Sequence, residues 1–215
     1  MFTHIALAQT DAEPAREPVN HERLYQVELI VFGRPDTNTQ ETWPTNIQLS
    51  YPQNLLVVRD ELNAEGIKLL PAAERTLNPQ AAVLAKSGGY TLLYHQAWRQ
   101  TIYGRKTNLL ITGGKTFNGH QELEGSISLS VGQYLKLQTN LWLTQFAPAG
   151  TAVAETWPEL PQIPGTEATL ATQDYLVKRV IKLNQQRSMR SNEIHYIDHP
   201  LMGVIVKIFP YDAGQ

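Results

Sequence analysis

The chain has 215 residues, 42% of them hydrophobic and 18% charged, a balance that supports one folded domain and excludes disordered, collagen-like and coiled-coil classes. A formal net charge of -2 gives no global attraction to nucleic acid, and the lack of cysteine excludes thiolate catalysis, disulfides and zinc held through sulfur. No run approaches the roughly 20 apolar residues of a membrane-spanning helix.

At the start of the chain, Ala6, Leu7 and Ala8 precede a polar, acidic stretch and have the small-x-small form of a signal-peptidase site. Residues 1–23 therefore read as the remnant of a secretory signal and a flexible leader containing Pro14 and Pro18. Residues 24–212 read as a single β-rich domain.

That domain opens with 24–34, LYQVELIVFGR, an apolar run rich in strand-forming types that predicts a strand buried on both faces, with Glu28 as its one internal charge. Broken periodicity around Trp43-Pro44 and Tyr51-Pro52 predicts a long covering loop over 36–74, with a short extended piece at 55–58. Asn78 followed by Pro79 has the form of an N-cap and first helical residue, so a short helix should run to Gly88-Gly89. Residues 90–100, 107–112, 122–131 and 133–145 are extended by residue type. Ile127, Leu129 and Val131 alternate with serines up to Gly132, and Leu135, Leu137, Leu141 and Leu143 follow, which predicts a β-hairpin. Pro148, Pro158, Pro161 and Pro164 make 146–165 a surface excursion. Strands at 174–188, 193–198 and 202–209 complete an α+β fold: a meandering antiparallel sheet covered on one face by the short helix and the long loop.

Few residues point to chemistry. His195 and His199 have helical metal-ligand spacing, but in a strand they stand roughly 13 Å apart, too far to share one ion. Asp198 then reads as an Asx-type turn residue before Pro200, and no metal or cofactor is expected. Ser126, Ser128 and Ser130 occupy alternate positions and read as a solvated face; Gly113-Gly114-Lys115-Thr116 lacks the upstream glycine of a phosphate loop and reads as a loop. Glu28 is either a poised acid or a paired structural carboxylate. Lys178, Arg179, Lys182, Arg187 and Arg190 form either a positive stripe or a charge-protected edge. Trp98 beside Arg99, and Trp142, are either sugar-stacking rings or core residues.

Several segments together resemble the CsiV family: 25–32 (YQVELIVF), Trp43-Pro44, 49–52 (LSYP), 93–99 (LYHQAWR), 141–143 (LWL), 189–191 (MRS) and 201–203 (LMG). The most distinctive is 193–200, EIHYIDHP, which is similar to that family's C-terminal His-Tyr-Leu-Asp-His-Pro signature, with Ile197 in the leucine place. The resemblance implies a periplasmic protein of Gram-negative cells that binds peptidoglycan and supports a class A penicillin-binding protein together with its outer-membrane lipoprotein activator. It carries over no catalytic residue. A non-catalytic wall binder would use aromatic rings for sugar faces and guanidinium groups for stem-peptide carboxylates, which makes Trp98, Arg99, Arg187 and Arg190 the candidate ligand-binding residues. The rival readings are a wall hydrolase using Glu28 or the His195–His199 turn, and an assembly subunit pairing through the 178–186 edge.

Overall fold

The first strand, β1 (Arg23–Gly33), has alternate side chains that are apolar on both faces, and such a strand is stable only between two layers. A computed structural model describing residues 23–35, 44–58, 66–153, 155–166 and 174–212 shows what those layers are. Residues 1–22 of the stretch read as a signal remnant and leader, and Trp43, lie outside the described residues, whereas Arg23, read as its last residue, begins β1.

In chain order β1 is followed by β2 (Leu55–Leu56), β3 (Lys68–Leu69), helix α1 (Asn78–Lys86), β4 (Thr91–Ile102), β5 (Thr107–Leu110) and β6 (Gly113–Phe117). Then come β7 (His120–Val131), β8 (Leu135–Pro148), β9 (Tyr175–Leu183), β10 (Gln186–Met189), β11 (Ile194–His199) and β12 (Met202–Pro210). The class is α+β as expected, mainly antiparallel strands with one short helix among the described residues. The strands are divided, however, between two sheets. The first runs β11-β12-β1-β4-β3; the second runs β10-β8-β7-β5-β2, with β6 on β7 and β9 on β8.

The sheets pack face to face. Val27, Leu29 and Val31 of β1 share one core with Ile127 and Leu129 of β7 and Leu137 and Leu141 of β8. Each such buried side chain contributes roughly 1.5–3 kcal/mol relative to exposure. The other face of β1 presents Ile30 and Phe32 to Leu77 and Ala81 at the start of α1. Sequence periodicity could not separate one sheet from two, because β1 pairs with β4 and β12 rather than with its sequence neighbours.

Smaller differences have local causes. Residues 113–117 form a strand rather than a loop; a Cβ on Gly113 would lie 2.1 Å from the carbonyl oxygen of Leu93, so only glycine lets β6 approach β4 there. The 174–188 run splits into β9 and β10, and at the break Thr139 and Gln185 exchange hydrogen bonds. β8 continues to Pro148, its last residue, before the proline-rich excursion, from which Leu160 and Ile163 return to buried positions.

On the outer face of the second sheet, residues 44–51 form an extended strap. Ile47, Leu49 and Tyr51 pack on the cluster of Trp142, Leu160 and Val180, while Asn140 and Lys182 donate to the strap carbonyls of Ser50 and Gln48. Buried Ser126 and Ser130 therefore do not belong to a solvated face.

Candidate binding surface at one end of the sandwich

Among the described residues two carboxylates, Glu28 and Glu124, are fully buried, and both are hydrogen-bonded within the fold. Glu28 is fully buried on the α1 side of β1 and accepts from the Thr76 amide (2.6 Å), the Thr76 hydroxyl (2.9 Å) and the Leu77 amide (2.8 Å). Nε2 of His95 lies 2.9 Å from Glu28 Oε1, the oxygen that also accepts from the Leu77 amide. The carboxylate thus satisfies the unpaired N–H groups at the start of α1, a task expected of Asn78, whose side chain instead donates to the Ala72 carbonyl. Burial alone would raise the Glu28 pKa, but the bonds from His95, Leu77 and Thr76 outweigh it and hold the carboxyl below its ordinary range. Glu124, also fully buried, accepts from the Gln121 amide at 2.7 Å and the Tyr51 hydroxyl at 3.3 Å, with His120 Nδ1 at 3.1 Å.

The 193–200 signature is only partly used by the fold: Ile194 and Tyr196 are exposed, and His199 lines a cleft of about 410 Å³ with Pro44, Ile47, Lys182 and Asn184. Ile197 enters the core, while Tyr196 and Asp198 both bond the guanidinium of Arg34, the latter at 2.6 Å. Asp198 is therefore an ion-pair partner rather than an Asx turn residue; the turn is closed by the Leu201 amide donating to His199 Nδ1. The described residues contain no group of three or more potential metal ligands.

Two arginine-bearing clefts lie where β4 and β1 meet the β7–β8 turn. The Tyr103 carbonyl accepts from the Val131 amide at 2.8 Å, and Arg23 pairs in register with Ile102, so two clefts share this end. The first, about 290 Å³, is lined by Arg23, Tyr25, Gln133, Tyr134, Met189 and Arg190. Tyr134 is 45% exposed, leaving ring surface for an apolar sugar face. The second, about 430 Å³, is lined by Gln100, Thr101, Tyr103, Arg105 and Thr107, with Leu56 and Ile67 among its apolar walls. Neither cleft has a carboxylate among its described lining residues. The Arg190 side chain is 75% exposed and lies 4.0 Å from Glu193, a surface pair too weak to withhold it from a ligand.

Of the four candidates from the sequence, Arg190 alone lines either of these two clefts. Trp98 is 0% exposed, its ring inside the core and its indole N–H donating to Gln100, so it offers no stacking face. Arg99 is held by Glu74 at 2.7 Å and lies over the Tyr211 ring at 3.7 Å. Arg187 is exposed on β10, beside but not lining the first cleft. The positive stripe is interrupted because Lys182 is committed to the strap. Trp142 is also fully buried. Sequence reading missed Arg23, Arg105 and Tyr134, which come from separate strand ends and turns.

Fold and clefts together define a β-sandwich scaffold with a basic, tyrosine-bearing end. The model of the family described as "Peptidoglycan-binding protein, CsiV" matches residues 2–211, and the chain belongs to that family. No curated protein and no solved structure matches it.

Proposed function

We propose that the protein is a non-catalytic peptidoglycan-binding protein of the periplasm, and that it supports a class A penicillin-binding protein acting with an outer-membrane lipoprotein activator. Family membership supports the wall ligand. The observation that carries the mode of binding is the pair of adjacent arginine-bearing clefts at one end of the sandwich. Arg23 and Arg190 would pair with stem-peptide carboxylates while the Tyr134 ring covers a sugar face. The engagement of Glu28 and Glu124 within the fold favours binding over hydrolysis by either carboxylate.

Co-sedimentation with purified sacculi, with the supernatant assayed for released muropeptides, tests this reading. Retention without release is expected, and Arg23→Ala/Arg190→Ala should reduce retention about tenfold with an unchanged circular dichroism spectrum. Muropeptide release would establish an enzyme instead. Failure of the intact protein to sediment would remove the wall ligand. Capture of the synthase by the intact protein in a defined two-component assay is the expected result for the partner; no capture removes that part.

A further inference from the structure

Side chains alternate along β11: Ile197 enters the core, so Tyr196 and Asp198 stand on the opposite, outer face of the first sheet. One glycine shapes that face. Gly203 pairs in register with Phe32, and a Cβ on it would stand 2.3 Å from Cζ of the Phe32 ring, so only glycine lets the ring settle over the sheet there. Phe32 is 3% exposed, yet the two rings that flank it are open to solvent. Tyr196 lies parallel to it within 5° at 6.3 Å between centroids and is 43% exposed; Tyr90 meets it edge-on at 5.2 Å and is 40% exposed. Each tyrosine is thus held against a buried ring while offering surface of its own.

The polar groups beside Tyr196 are fixed as well. Its hydroxyl accepts from Arg34 and donates to Asp198 Oδ1 at 2.8 Å, and the same carboxylate oxygen accepts from Nη2 of Arg34 at 2.6 Å. Nη1 of Arg34 and Oδ2 of Asp198 have no partner among the described residues, and the two side chains are 27% and 61% exposed. An exposed ion pair adds little to folding. Here it leaves an accessible donor and an accessible acceptor beside an open ring, with all three side chains ordered by their own bonds before a ligand arrives.

We propose that this surface is a glycan subsite, in which a pyranose lays its C–H face on Tyr196, donates a hydroxyl proton to Asp198 Oδ2 and accepts at another oxygen from Arg34 Nη1, the strand continuing toward Tyr90. The assignment rests on the wall-binding reading and names the polysaccharide backbone as the part of the wall recognised here. The chemistry selects a sugar. Hydroxyls both donate and accept, so neighbouring ones use the carboxylate and the guanidinium together. Asp198 repels the carboxylates of a stem peptide, and an apolar protein partner would desolvate the ion pair without satisfying its free atoms. The subsite adjoins the Arg34 end of β1, whereas the arginine-bearing clefts adjoin its Arg23 end, roughly 30 Å away at about 3.3 Å per residue.

The test is an NMR titration of the full chain with a tetrasaccharide of β-linked N-acetylglucosamine, which carries no stem peptide. Amide shifts should centre on Arg34, Tyr196 and Asp198. Tyr196→Ala should weaken binding about tenfold, whereas Tyr196→Phe, which keeps the ring, should retain most of it. Asp198→Ala removes an exposed carboxylate, leaves the ring in place and should weaken binding several-fold with an unchanged circular dichroism spectrum. No binding of the tetrasaccharide, shifts confined to the Arg23 end of β1, or full affinity in both Tyr196→Ala and Asp198→Ala overturns the proposal. Concentration-dependent self-association that Tyr196→Ala relieves, with no shifts on adding the tetrasaccharide, makes the surface an interface between copies of the chain and overturns it too. Sacculus sedimentation of the same preparation separates the two levels: retention without tetrasaccharide binding sinks only this subsite, whereas failure of the intact protein to sediment sinks the wall-binding reading itself.

Discussion

The outer faces of the two sheets are both covered, and both covers reach a buried glutamate, yet the two glutamates serve them differently. On the first sheet Glu28 binds the cover directly, through backbone N–H groups of Thr76 and Leu77 that open α1. On the second sheet Glu124 takes its short bond from Gln121 in its own strand, and meets the strap only through the Tyr51 hydroxyl at 3.3 Å. The strap is held instead by sheet side chains donating to its carbonyls and by Ile47, Leu49 and Tyr51 lying on the Trp142 cluster. A helix exposes N–H groups at its start and needs an acceptor; an extended strap exposes carbonyls and needs donors.

The largest effect should come from Glu28→Ala, which strands two backbone amides, a hydroxyl and His95 together. A loss of roughly 3–5 kcal/mol in urea unfolding is expected. A loss below 1 kcal/mol would mean that apolar packing of Leu77 and Ala81 fixes α1 alone.

Acid should expose the same asymmetry more gently. Because the Glu28 carboxyl titrates below its ordinary 4.5 in the folded protein, the unfolded chain takes up that proton first. The stability contributed by ionised Glu28 is complete above about pH 4.5 and is lost as pH falls through the lowered folded value. Amide exchange at Thr76 and Leu77 should accelerate over that window while amides beneath the strap keep their protection. Parallel acceleration at both covers would erase the distinction.

The smallest effect belongs to Tyr51→Phe. Removing one long bond from the strap should cost about 1 kcal/mol or less, since Glu124 keeps its Gln121 and His120 contacts. A loss comparable to that of Glu28→Ala would show that Tyr51 is the true anchor of the strap. Burial and the adjacent Glu124 charge already push this phenol well above its usual range, so no alkaline step from Tyr51 is expected below that range.

What the sequence made legible follows from this physics. The doubly apolar run of β1, the serine-spaced hairpin of β7 and β8, and the proline-then-double-glycine frame of α1 are local signals, and each element lies where its signal predicts. The partition into two sheets was hidden because it depends on which strands meet across long stretches of chain. The clefts were hidden for the same reason: Arg23, Arg105, Tyr134 and Arg190 carry no shared spacing. Trp98 stayed open for a local reason: its strand parity is shared by Gln96 and Gln100 as well as Ile102, so alternation alone did not decide whether the ring turned inward.

The placement of β1 also dictates an order of assembly. Its hydrogen-bonding edges are completed by β4 on one side and, on the other, by β12, the last strand among the described residues. Until β12 arrives, β1 has one edge open, and the shared core lacks Val204, Val206 and Ile208. Such long-range closure is slow and leaves a sticky, unpaired template in the interim. Both the first sheet and the shared core are therefore completed only when β12 is in place.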